Sequence, residues 1–159
     1  MFDFKDVKLK KMLKNAEKAS KRNNAVMHIG NIVIYQVESD DLMDKLQSRG
    51  CYGCAFTPKQ TGFFRKTLKM TKSYIILEEG LPDYVARAFN AHELGHIICG
   101  HSGSDRLFKE EVEADRIMKK VCGKLEAISA LQYIQNTKPI LSYGWAELIA
   151  RQIMLAIKK

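Results

Sequence analysis

The apolar positions of this 159-residue chain change their spacing as it proceeds, and the changes mark out its elements. Over residues 3–22, Leu9, Met12, Leu13 and Ala16 (with Phe2 just before) recur at near-helical intervals between lysines. They predict an amphipathic helix that Asn23-Asn24 ends. Residues 31–37 (NIVIYQV) are rich in β-branched side chains and read as a strand. Ser39 is placed to cap a short helix over 40–49, with Gly50 as its stop. Residues 54–57 and 63–68 read as two short strands around the turn Pro58-Lys59-Gln60-Thr61-Gly62. Residues 74–77 (YIIL) form another strand, broken by Gly80-Leu81-Pro82, and Pro82 suits the first turn of a helix.

Beyond Pro82 the periodicity is helical, over about 82–99, 105–122, 124–136 and 142–157. Gly100 and Gly123 fit the ends of the first two helices, and Ser104 and Ser142 fit N-caps. The order is helix, strand, helix, strands, then four helices. It predicts an α+β fold, with a small mixed or antiparallel sheet packed on helices. Length and the lack of repeats or linkers predict one domain over 1–159.

Composition narrows this picture modestly. No apolar run approaches the ~20 residues of a membrane span, and no secretory leader follows Met1, so a cytoplasmic protein is expected. Disulfides are then not expected among Cys51, Cys54, Cys99 and Cys122. Cys99 and Cys122 fall in helical patterns, where a thiol acts as a small buried apolar group. The formal net charge is +8, and residues 1–22 hold eight Lys/Arg against three Asp/Glu. This basic N-terminal helix is either a surface for an acidic partner or nucleic acid, or a solvated lysine-rich face, the plainer reading. No recognition-helix signature accompanies it, so direct nucleic-acid binding ranks last.

The chemistry concentrates in His92-Glu93-Leu94-Gly95-His96, an H-E-x-x-H motif. Two histidines four apart share one helix face, one turn apart, and can reach one metal ion. Glu93 beside them is placed to take a proton from an activated water. Phe89 lies on the motif's side, Leu94, Ile97 and Ile98 can face the core, and the small Ala88, Ala91 and Gly95 permit close packing. A catalytic zinc site usually has three protein ligands, so a third must come from elsewhere. The segment Glu110-Glu111-Val112-Glu113-Ala114-Asp115, on the next helix, supplies it if the two helices run antiparallel. Phe108, Glu111, Asp115, Met118 and Cys122 share a face, which selects Glu111 as ligand. Asp115 would accept a hydrogen bond from a ligand histidine, and Glu110 and Glu113 would be solvated. His101 is a rival ligand, but the metzincin pattern fails, with Cys99 and Ser102 where Gly and His are wanted. Cys51-Tyr52-Gly53-Cys54 is a C-x-x-C without a second pair, and reads as a loop with two ordinary thiols.

The run Ala91-His92-Glu93-Leu94-Gly95-His96-Ile97-Ile98, with Glu111-Val112-Glu113-Ala114-Asp115-Arg116 after it, resembles the gluzincin metallopeptidases. Strand, turn and HELGH helix follow the order of the ImmA/IrrE family of bacterial and phage peptidases. Glu111 to Asp115, and the stretch from Gly123 to Leu131, are similar to the M48 family. The resemblance covers about 74–131 and implies a zincin-like active-site helix. It also implies a Zn2+ cofactor on His92, His96 and Glu111, with Glu93 as general base. After Ala114 the chain departs from many ImmA-like sequences, with Arg116-Ile117-Met118-Lys119-Lys120 in place of an aromatic-rich stretch.

ImmA-like members act on repressor proteins of mobile elements, so the implied substrate is a protein, of the transcriptional-repressor type. The expected activity is hydrolysis of a peptide bond by metal-activated water. The alternative is a metal-dependent binding or sensing module without proteolysis. Tyr143, Tyr133 and His101 are open candidates for a donor to the oxyanion. The strand 74–77 is either an edge to which a substrate pairs or an ordinary buried strand.

Overall fold

The computed structural model describes residues 7–29, 32–45, 52–56, 73–101, 107–137 and 145–157. Helix α1 (Val7–Arg22) turns Leu13, Ala16 and Ser20 inward at helical spacing. Its Lys11, Lys14, Lys18 and Lys21 are exposed, as a solvated lysine face requires. Ser20 Oγ lies 2.9 Å from the Ala16 carbonyl oxygen and 2.5 Å from that of Gln36, so it joins the helix to the sheet. Asn24, at φ +56°, takes the left-handed conformation that ends the helix.

A strand the hydrophobic pattern did not predict follows, β1 (Val26–Ile29), paired antiparallel with β2 (Ile32–Glu38) so that Ile29 faces Ile32. The two residues between them are Gly30-Asn31, a hairpin signature that could have revealed β1. Helix α2 (Asp40–Lys45) begins as expected, with Ser39 Oγ accepting from the Leu42 amide at 3.1 Å. Strands β3 (Gly53–Phe56) and β4 (Ser73–Leu77) complete a mixed sheet of order β1-β2-β4-β3, in which β4 runs parallel to β2 and antiparallel to β3.

All five residues of β4 are buried. Both of its edges are taken by neighbours, so it is not an edge strand and no substrate can pair with it. Its continuous apolar run is that of a strand covered on both faces. Tyr35, Tyr74 and Ile76 face Leu13, Ala16, Leu42 and Met43 of α1 and α2. The alternate residues Ile34, Ile75 and Leu77 face the other way, toward the remaining helices.

Those helices are α3 (Asp83–Ile98), α4 (Phe108–Cys122), α5 (Lys124–Thr137) and α6 (Trp145–Ala156). Pro82 stands at the N-cap of α3, one place before its expected position. Gly100 and Gly123 lie at φ +70° and +87°, beyond the ends of α3 and α4, where a Cβ would be strained. Helix α4 starts at Phe108, later than the pattern suggested, with no side-chain cap. Ile98, expected to face the core, is 51% exposed, because Ile97 takes the inward place in the last turn. Cys99, expected to be buried, is exposed at the C-cap of α3. The expected strand at 63–68, its turn, Cys51, Gly50, Ser104, Ser142 and Tyr143 lie outside the described residues. Among the described residues no helix is long and apolar enough to cross a membrane.

Candidate metal centre

Helix α3 runs between the sheet and α4. Gly95 lies so close to α4 that a Cβ there would sit 2.8 Å from Ala114 Cα and 2.9 Å from its carbonyl oxygen. The glycine of the H-E-x-x-H motif and the alanine before Asp115 are thus the two small residues that let the helix backbones meet. Pairing is antiparallel: His92 meets Asp115 while His96, one turn on, meets Glu111.

This crossing brings the expected ligand atoms together. His92 Nε2 and His96 Nε2 are 3.1 Å apart, and the Glu111 carboxylate oxygens lie 3.3 Å from the first and 3.4 Å from the second. The carboxylate contacts lie at the long end of the N–H···O hydrogen-bond range, which clusters near 2.9–3.0 Å. Tetrahedral zinc, with bonds of about 2.0–2.1 Å, sets neighbouring N and O ligands about 3.3 Å apart. The N–N separation, and the N–O separations to Oε2 from His92 and to Oε1 from His96, are therefore each of the length found between neighbouring ligands of one zinc ion. His92, His96 and Glu111 fit the ion; Cys99, His101 and Glu113 form a second group of metal-ligating types among the described residues.

The supporting residues were only partly foreseen. Asp115 is where the sequence placed it: His92 Nδ1 donates to its Oδ1 at 2.9 Å, which leaves Nε2 for the centre. Arg151 was missed. From α6 it donates to both Asp115 oxygens at 2.7 and 2.8 Å, and its Nη1 lies 3.1 Å from Glu111 Oε2. It is 2% exposed, and stands between Leu148 and Leu155 on the inward stripe of α6. A lone arginine in an apolar stripe was the available signal, since such a charge needs a buried partner.

Glu113, expected in solvent, instead holds His101, Oε2 to Nε2 at 2.8 Å. His101 Nδ1 lies 2.8 Å from His96 Nδ1, so the Nδ1 of each motif histidine has a partner. His101 thus lies on the Nδ1 side of His96, away from the point where the Nε2 atoms meet Glu111, and is not placed as the third ligand there. Tyr133, another oxyanion candidate, packs against the ring of Tyr52, centroids 5.5 Å apart.

Glu93 is buried under β3. A Cβ on Gly53 would lie 3.2 Å from its Cγ and Oε1, so the bare backbone of Gly53 leaves the room that Glu93 occupies. The C-x-x-C segment is thus no plain loop. Its Tyr52 stacks on Phe89 of α3, its Gly53 covers Glu93, and Cys54 belongs to β3. A cavity of about 20 Å³, room for one water molecule, is bounded by Tyr52, Gly53, His92, Glu93 and Arg151, among others.

The electrostatics follow from this packing. Burial disfavours a charged His92, but hydrogen bonds to Asp115 and Glu111, with their charges, outweigh it and raise the imidazole from 6.5 to about 9. Burial alone would raise Glu111. Hydrogen bonds from His92 and His96 and the Arg151 charge instead hold it far below the usual carboxylate range. Asp115 is lowered in the same way, against burial, chiefly by Arg151. A metal-free centre therefore carries a proton on His92 that an incoming cation must displace.

Compared with known proteins, the chain matches no family model, no curated protein and no solved structure.

Proposed function

We propose that the chain is a zinc-dependent peptidase, and the observation that carries this reading is the convergence of His92, His96 and Glu111 at ligand-to-ligand separations, with Glu93 lining the small cavity beside His92. Zinc held there would supply a Lewis acid that lowers the pKa of water toward ~7 and polarises a carbonyl. Glu93 takes the proton of the attacking water and passes it to the leaving amine nitrogen. Asp115 and the His101–Glu113 pair keep the outer nitrogens of His92 and His96 occupied, so that both rings turn Nε2 inward. Arg151 offsets the two buried carboxylates.

The resemblance of residues 74–131 to the ImmA/IrrE and M48 gluzincins supports hydrolysis of a protein, with a repressor-type regulator as the first substrate to try. The test is zinc content and cleavage in wild type and Glu93→Gln. One tightly bound zinc per chain in both is expected, with cleavage reduced by about 10²–10⁴ in the variant. Equal cleavage by both would refute the catalytic role of Glu93. A partner bound intact by both would select a sensing module in place of a peptidase.

A further inference from the structure

His96 has a second cluster behind it. The chain leaves α3 at Cys99, turns back through Gly100 at φ +70°, and returns so that the His101 amide donates to the His96 carbonyl at 3.0 Å. This reversal sets the exposed Cys99 thiol and the His101 ring beside Glu113 of α4. One ligand atom from each lies within 4.8 Å of the others.

We propose that Cys99, His101 and Glu113 form a second cation site, for a thiophilic divalent metal such as zinc. Thiolate, imidazole and carboxylate are the three side-chain ligand types zinc takes. Sulfur favours zinc over magnesium or calcium, which prefer oxygen. The Cys99 side chain is exposed and Glu113 is partly so, so both can rotate to close the 4.8 Å spread onto one ion. Exposure and this rearrangement make the site weaker than a buried one. Cys99 is also held above its ordinary pKa by partial burial and by Glu113, so binding releases its proton.

The shared histidine couples the sites, a consequence that rests on the first-site reading. With a cation on His96 Nε2, the His96 proton sits on Nδ1 and donates to His101 Nδ1. The His101 proton then sits on Nε2 and donates to Glu113. A cation on His101 Nε2 moves that proton to Nδ1, where it meets the His96 N–H across 2.8 Å. Filling the outer site therefore weakens the inner one, and a rise in free metal restrains the enzyme.

The experiment is a cobalt(II) titration of the metal-free full chain, followed by absorption. Wild type should bind two ions, with a thiolate-to-cobalt charge-transfer band growing at the weaker step. Cys99→Ser should lose that band and keep the tighter step. Glu113→Gln should weaken the band-forming step about tenfold or more. In Glu111→Gln, where the inner site is disabled, the band should remain and form at about tenfold lower cobalt. No thiolate band in wild type, or an undiminished band in Cys99→Ser, would overturn the site. Equal cobalt dependence of the band in wild type and Glu111→Gln would overturn the coupling. A band at one equivalent, with no tighter step in wild type, would remove the inner site and leave the outer one standing.

Discussion

Gly95→Ala adds one methyl group at the point where α3 and α4 touch. Its Cβ would meet Ala114 Cα at 2.8 Å, Ala114 O at 2.9 Å and Ile117 Cβ at 3.1 Å, against ordinary contacts of 3.4–4 Å. Two of these neighbours are backbone atoms, which no rotamer change removes, so the helices must part by about half an ångström. Overpacking of this kind costs about 1–3 kcal/mol. Alanine's helix preference over glycine returns about 1 kcal/mol. The metal-free protein should thus lose at most about 2 kcal/mol in urea denaturation. The centre should suffer more. His92 and His96 stand on one helix and Glu111 on the other, so the 3.3 and 3.4 Å edges widen beyond what one zinc ion spans. Zinc affinity, measured by competition with a chromophoric chelator, should fall on the order of 10- to 100-fold, as when supporting residues of a metal site are lost. A variant that kept wild-type affinity and gained stability would show that the Gly95–Ala114 contact does not set the geometry of the centre.

The neighbouring contacts yield three more expectations. Gly53→Ala presses on the Leu77 side chain at 2.9 Å and on Glu93 at 3.2 Å, and not on the ligands, so kcat should fall roughly 10²-fold while zinc affinity stays unchanged; a parallel loss of both in steady-state and chelator assays would refute this division. Arg151→Leu leaves Asp115 and Glu111 buried without the arginine cation, and should cost about 3–5 kcal/mol of stability by urea denaturation; a loss under 1 kcal/mol would contradict the pairing. His92 is raised from 6.5 to about 9 in the metal-free fold, which is worth about 3 kcal/mol. That stabilisation is complete below pH 6.5 and lost as pH rises through about 9. Metal-free Tm should therefore fall over this window, while apparent zinc affinity rises about tenfold per pH unit; a metal-free Tm that rose from pH 6.5 to 9 would reverse the assigned sign.

Much of the fold was legible because its signals are local. The inward stripe of α1, the Ser39 cap and the glycine stops at 100 and 123 each depend on residues within a turn or two of one another. Strand β1 escaped because four residues carry too little periodicity, and only Gly30-Asn31 marked the hairpin. The buried state of β4 was undecided in the sequence, since YIIL fits an edge or an interior strand equally, and the partners that decide it lie far along the chain.

The sequence by itself determined the inner cluster's placement on its helices: the spacing of His92, Glu93 and His96 on one helix, and of Glu111 and Asp115 on another, follows from 3.6 residues per turn. Tertiary structure alone decided what surrounds it. Arg151 arrives from α6, Gly53 from β3, and His101 and Glu113 meet behind His96 across a helix crossing. Periodicity assigns a side chain to a face of its own element. Which distant face it meets depends on how closely two backbones approach, and here that is set by one glycine against one alanine.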